Sequence, residues 1–415
     1  MRRLNPSLVY LLFCGVMMFC RALHFTVSSV YYATVVGLNP FQLVSVGTTL
    51  MVVILLAEVP TGVVADVYSR RLSIIVGTAL IGLGFALESV IPTLAAVLAA
   101  QLIWGVGLTF TSGALEAWIA DELGGRDPGP IYMRGGQAGQ AGALLGIAGS
   151  VALASWQLYL PMLIGGVGLV VFAGALALIM PERGFVPAPR GERASWQVAY
   201  HTVREGAGLV RARPALLTIM GVTFFFAMAS ETFDRLWEVH FLTYFAFPRL
   251  GALAPIVWFG IINAVARLLS IAGAEIARRR VDTGSHAGVV RALATMTALL
   301  MASVIGFGLA GSFAAALAAY WLAALLRQVY GPIYTAWLNQ NLESRTRATV
   351  NSLAGQVDAV GQIAGGPPFG LIATWLSTRA AMVAAALVLL PALALYRRPH
   401  AEPAAPERGA ALPEA

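Results

Sequence analysis

Runs of about 20 apolar residues recur along almost the whole chain, and each is long enough to cross a hydrocarbon core of about 30 Å. A chain patterned in this way has the bilayer as its solvent. Inside lipid the backbone must satisfy its own polar groups, which for segments of this length means helices. Of 415 residues, 58% are hydrophobic and 11% charged, against about 25% charged in a typical soluble domain. The runs predict twelve transmembrane helices, at 8–34, 41–65, 72–91, 94–119, 133–154, 158–180, 215–241, 252–276, 287–310, 313–337, 348–373 and 379–396.

The net charge is +7, but the basic residues sit in short connections between apolar runs and not on a folded surface, which argues against nucleic acid. All 27 basic residues are Arg, a usage suggesting a GC-rich bacterial genome. Only Arg249 and Arg379 fall in connections on one side; Arg21, Arg235, Arg267 and Arg327 lie within spans, and the rest share the side of the N-terminus. The positive-inside rule therefore predicts a multi-pass inner-membrane protein with both termini in the cytoplasm. Arg21 and His24 in the first apolar run, followed directly by further spans, mark it as a retained helix and not a signal peptide. Cys14 and Cys20, six residues apart on one helix, stand about 9 Å apart and cannot pair.

The longest internal connection, 182–213, is rich in Arg, Pro and Gly and divides the chain into expected six-helix bundles at 1–181 and 214–398, with a disordered cytoplasmic tail at 399–415. Within the connection, Trp196, Ala199, Val203 and Val210 follow helical spacing, so it reads either as an interfacial amphipathic helix or as a solvated linker. The halves repeat each other. Ala138-Gly139-Gln140 followed by Ile147-Ala148-Gly149 recurs as Ala354-Gly355-Gln356 followed by Ile363-Ala364-Gly365, and Ala117-Trp118 recurs as Ala336-Trp337. Order and spacing together indicate a duplicated six-helix unit.

The loop after span two reads Gly62-Val-Val-Ala-Asp66-Val-Tyr-Ser-Arg70-Arg71, preceded by Glu58-Val-Pro60-Thr61. It resembles the signature loop of the major facilitator superfamily, departing from it at Val67 and Ser69. The resemblance, with helix count, central loop and repeat, covers essentially the whole chain and implies an all-α membrane fold of two pseudo-symmetric bundles. It also implies that Asp66 faces the start of span eleven, near Arg347. Gly62 is expected to permit close helix approach, and Arg70 to pair with Asp121 at the end of span four, forming with Asp66 and Arg71 a latch that shuts the cytoplasmic face in the outward-open state; the alternative is that Arg70 and Arg71 are topological anchors. Span five has the small-xxx-small spacing of a packing helix but lacks the proline often found there in antiporters of the superfamily.

Ionisable groups at bilayer depth are costly and so direct attention to function. In the fold the resemblance implies, spans one, four, seven and ten line the cavity; Arg21, Glu116, Glu231 with Asp234 and Arg235, and Arg327 sit on those spans, and Arg267 lies on span eight. Ion pairing such as Arg235 with Glu231 one turn earlier is the structural alternative. Asp358 occupies the repeat position of Gly142, and Arg327 that of Leu108, so shared packing requires neither charge. Asp358 lies about 15 Å along its span and is the leading candidate to carry a proton, with Arg327 as a possible partner and Glu58 and Glu231 behind it.

No phosphate-binding loop is found, and the five histidines have no acidic or cysteine cluster at ligand spacing, so neither an enzyme, a metal site nor a cofactor is expected. The resemblance extends to tetracycline- and macrolide-type exporters through Thr111-Ser-Gly-Ala-Leu-Glu116-Ala-Trp118-Ile-Ala-Asp121 and Arg347-Ala-Thr-Val. It implies proton-coupled efflux of amphipathic small molecules by a lipid-embedded monomer. Trp104, Phe224, Phe225, Phe226 and Trp237 suit such a cavity. Symport of a sugar, organic acid or peptide is the alternative on the same fold, and a non-transporting receptor or scaffold the alternative of another class.

Overall fold

The computed structural model describes residues 3–187, 208, 210–211, 213–249, 256–280, 285–340, 342 and 344–397. Much of the central connection, with the expected amphipathic helix except Val210, and the tail lie outside them. Counting a helix with a short break as one, twelve helices follow in order: α1 (Pro6–Thr34), α2 (Pro40–Val67), α3 (Arg70–Val90), α4 (Leu94–Leu123), α5 (Gly129–Ala154) and α6 (Leu160–Ile179), then α7 (Pro214–Tyr244), α8 (Ile256–Arg280), α9 (His286–Leu309), α10 (Phe313–Asn339), α11 (Ser344–Trp375) and α12 (Thr378–Tyr396). No strand occurs among the described residues. The helices start where the sequence supplies an N-cap. Ser69, Thr93, Ser285, Ser312 and Ser377 each accept a first-turn N–H, and Asn39 forms a capping box with Gln42 ahead of α2.

Ten of the helices are long and apolar enough to cross a membrane on composition alone. The remaining two are the repeat-related α5 and α11, whose glycines and polar groups dilute their apolar character. Each lies against the first helix of its own half. Gly142 and Gly146 leave no room for a side chain beside Gly15 and Phe19 of α1, and Gly361 and Gly365 do the same beside Phe224 and Met228 of α7. The pairs α1–α5, α2–α4, α3–α4 and α3–α6 recur as α7–α11, α8–α10, α9–α10 and α9–α12. The duplication read from the sequence is thus a duplication of packing.

Three helices are broken. α1 yields at Thr26–Val27, α12 at Val388, and α4 at Ser112–Gly113, where Gly113 has φ +69°. That left-handed conformation favours glycine, and it lets the last ten residues of α4 (Ala114–Leu123) take their own direction. Gly62 does not do what was expected of it: a Cβ added there would meet nothing within 4 Å.

The principal contacts between the halves lie away from the chain ends. The Phe41 N–H donates to Thr374 Oγ1 at 2.9 Å, Gly366 and Gly370 of α11 abut Thr48 and Phe41 of α2, and Gly260 of α8 abuts Val151 of α5. These residues occupy the parts of α2, α5, α8 and α11 distant from the side that bears the termini. The halves are joined on the opposite side.

Candidate functional site

On the side of the termini, the signature loop is bound into its own half. Arg70 pairs with Asp121, donates to the Ala117 carbonyl at 3.0 Å and lies 3.5 Å from Asp66. Glu182, just beyond α6, accepts from the Arg71 N–H at 2.8 Å and from Ser69 Oγ at 2.7 Å. The Trp118 indole donates to the Pro181 carbonyl at 2.7 Å, and Glu122 accepts from the Gly184 N–H at 2.9 Å. The ends of α2, α3, α4 and α6 are thereby one polar assembly. Asp66 has Arg70 as its ion-pair partner, while α2 meets α11 at the other end of both helices, so the pairing of Arg70 and Asp121 is present with the halves joined on the far side.

In its second half α7 presents Glu231, Asp234, Arg235 and Glu238 within about two turns. Arg235 Nε lies 3.1 Å from Glu231 Oε1, the i,i+4 pair foreseen as the alternative to a coupling role. Glu231 is 2% exposed, and the pair sits against Gly47 of α2, across the junction of the halves. Asp234 turns the other way: its side chain is 49% exposed and takes both guanidinium arms of Arg327 from α10, one at 2.6 Å. The Arg327 guanidinium also lies over the Phe233 ring, 5.4 Å from its centroid. A forked pair of this kind fixes two helices in register more tightly than a lysine could.

Arg327 is ion-paired with Asp234 and stands near enough to Asp358 to act on its charge, while the hydrogen-bond partner of Asp358 is Gln362, one turn along α11, whose amide donates at 2.7 Å. Among the described residues Arg21 and Arg267 form no ion pair; Arg21 lies 5.6 Å from the Phe25 centroid. Glu58 and Glu116 are exposed. Of the aromatic groups, Trp104 and Trp237 are buried in packing, Trp237 against Tyr320 of α10, and Phe226 stacks on Tyr330. The two tryptophans are not open walls of a cavity, whereas Phe226, partly buried, lines a small hollow with Phe233 and Arg327.

A second polar cluster escaped the sequence. His24 of α1 and Glu88 of α3, 1% and 0% exposed, stand 3.1 Å apart. Gln101 of α4 donates to Glu88 Oε2 at 3.0 Å and is itself oriented by the Trp104 indole, which donates to Gln101 Oε1 at 3.0 Å. The imidazole stacks on Phe85 at 3.8 Å, and Tyr32 lies beside Glu88 on one hand and Arg235 of the other half on the other. The available signal was Glu88 itself, an acid within span three.

Two six-helix halves, joined on one side of the membrane and carrying ion pairs where they meet, define a membrane transporter. The Major Facilitator Superfamily model matches residues 9–366, and the chain belongs to that family. An uncharacterized MFS-type transporter of Bacillus subtilis (strain 168), YxaM, is 25% identical over 358 residues, covering 86% of each chain. Among solved structures, a variant of the nucleoside transporter NupG superposes with a TM-score of 0.76 at 13% identity, over 94% of this chain and 99% of the other. A bacterial homolog of the human lysosomal transporter Spinster, inward-facing and occupied, gives 0.72 at 14% identity over 94% and 95%. A POT family transporter holding a peptide conjugate gives 0.73 at 13% identity over 94% and 94%. At these identities the structures speak for the fold.

Proposed function

We propose that the chain is a proton-coupled secondary transporter working by alternating access, and that it exports a small amphipathic solute. The observation that carries the coupling is the junction itself, where the Glu231–Arg235 pair of one half lies against Gly47 of the other. A charge whose surroundings change when the halves part differs in free energy between the two states, which is the requirement for an ion to bias them. With the termini in the cytoplasm, halves joined on the far side correspond to an inward-open state. Asp358 is the proposed proton carrier, with Glu58 and Glu231 as alternatives. Arg70, Asp121, Asp66 and Arg71 are proposed to act on the cytoplasmic gate.

A second reading, symport of a polar metabolite, is favoured by the half-exposed Asp234 held by Arg327 and by the withdrawal of Trp104 and Trp237 into packing. A cavity edged by ion pairs suits a solute that itself carries charge. Inverted vesicles with an imposed proton gradient separate the readings. Export requires substrate-dependent proton efflux from acidified vesicles with dye or drug accumulation inside; symport requires protons and solute to leave together; neither flux would end both.

A further inference from the structure

A groove of about 580 Å³ opens between α9 and α12 on the outer surface of the second half, apart from the charged junction. Its lining begins at His286, the first residue of α9, and continues through Val290, Arg291 and Ala294 to Ala298, with Leu393 and Arg397 on the α12 side. From Arg291 to Ala298 is about 10 Å at the helical rise, about two-thirds of the roughly 15 Å of one leaflet's hydrocarbon. The exposed Arg291 and Arg397 stand toward the end that bears the termini, Ala294, Ala298 and Leu393 are apolar, and no acidic side chain is present in the lining.

We infer that this groove is a binding site for one anionic phospholipid, its phosphate between Arg291 and Arg397 and an acyl chain along Ala294, Ala298 and Leu393. Cationic at one end and mostly apolar beyond it, the groove matches an amphiphile oriented as the bilayer orients its own lipids, with the upper part of an acyl chain in it. A free phosphate leaves the apolar length unfilled. A solute in transit enters from the junction of the halves, which this groove does not reach.

The full-length protein is reconstituted in phosphatidylcholine vesicles with and without phosphatidylglycerol, extracted, and its retained lipid identified by native mass spectrometry. Phosphatidylglycerol should be retained in preference to phosphatidylcholine. Each of Arg291→Gln and Arg397→Gln should reduce that preference about five-fold, the equivalent of ~1 kcal/mol per basic residue near an anionic surface. Arg291→Lys with Arg397→Lys, which keeps the charge, should retain most of it and guards against misfolding. Arg126→Gln, an exposed arginine of the other half, should leave it unchanged. Equal retention of the two lipids, an unaltered preference in the glutamine variants, or an equal loss with Arg126→Gln overturns the site. A gain of lipid on deleting residues 399–415 also overturns it, because the acidic tail would then be the occupant.

Discussion

Gly47 of α2 and Glu231 of α7 approach so closely that a single added carbon at Gly47 would overlap the carboxylate and the guanidinium of Arg235 bound to it. The contact joins the halves through a residue with no side chain and a residue with a charge. Any group placed at Gly47 must either displace the ion pair or part the helices.

Gly47→Val should therefore disfavour the arrangement in which the halves are joined on the far side. Overpacking of this kind costs about 1–3 kcal/mol, which corresponds to a roughly 5- to 150-fold shift of a two-state population. Phe41→Cys with Thr374→Cys, in a background lacking Cys14 and Cys20, reports that arrangement by cross-linking, and Gly47→Val should slow the cross-link by a comparable factor. An unchanged rate would mean that this junction does not open.

Arg70 and Asp121 should behave as a unit. Arg70→Ala and Asp121→Asn are each expected to slow transport while leaving substrate affinity near its original value, and the double variant should be little worse than either alone. The coupling in a double-mutant cycle should fall at about 0.5–3 kcal/mol. Additive losses would assign the two residues separate work.

Asp358→Asn preserves an acceptor for the Gln362 amide and removes only the capacity to ionise. Accumulation of solute against a gradient should be lost, with downhill exchange retained, as measured by counterflow in vesicles. A variant that still concentrates its solute and still moves protons would pass the role to Glu58 or Glu231.

His24 and Glu88 should be mutually dependent for stability. Glu88→Ala leaves the imidazole and the Gln101 amide without their buried partner and should cost about 1–3 kcal/mol for each group so orphaned. His24→Phe with Glu88→Met, which replaces both by apolar groups of similar volume, should cost less than Glu88→Ala. Thermal unfolding in detergent gives the order; a double variant less stable than Glu88→Ala would mean that the pair contributes more than its own compensation.

The helices were legible because a 20-residue apolar run has one physical use, and the observed ends fall within about four residues of those expected, as at Gly129 for 133 and Leu123 for 119. The breaks in α1 and α4 were not legible, since apolar character continues through Thr26 and through Ser112–Gly113 while only the backbone turns. The Glu231–Arg235 pair followed from i,i+4 spacing alone. The choice of Arg327 between Asp234 and Asp358 did not, because it depends on how α7, α10 and α11 are rotated about their axes. For the same reason His24 and Glu88, far apart in the chain, gave no local sign of each other. Gly62 abuts no neighbour because the halves part on its side of the molecule and meet on the other.

The Arg70–Asp121 bond is internal to one half, as are the bonds from Glu182, Trp118 and Glu122 around it. In the alternating-access cycle proposed above, four helix ends tied in this way would swing as a single lever and not act as a clasp between two parts. A clasp stores its closing energy in the bond that snaps, whereas a lever only delivers a shaped face to whatever it swings against. The strength with which the terminal side shuts would then be set by residues of the other half that meet this face, and substitutions there would tune the gate while leaving the Arg70–Asp121 bond intact.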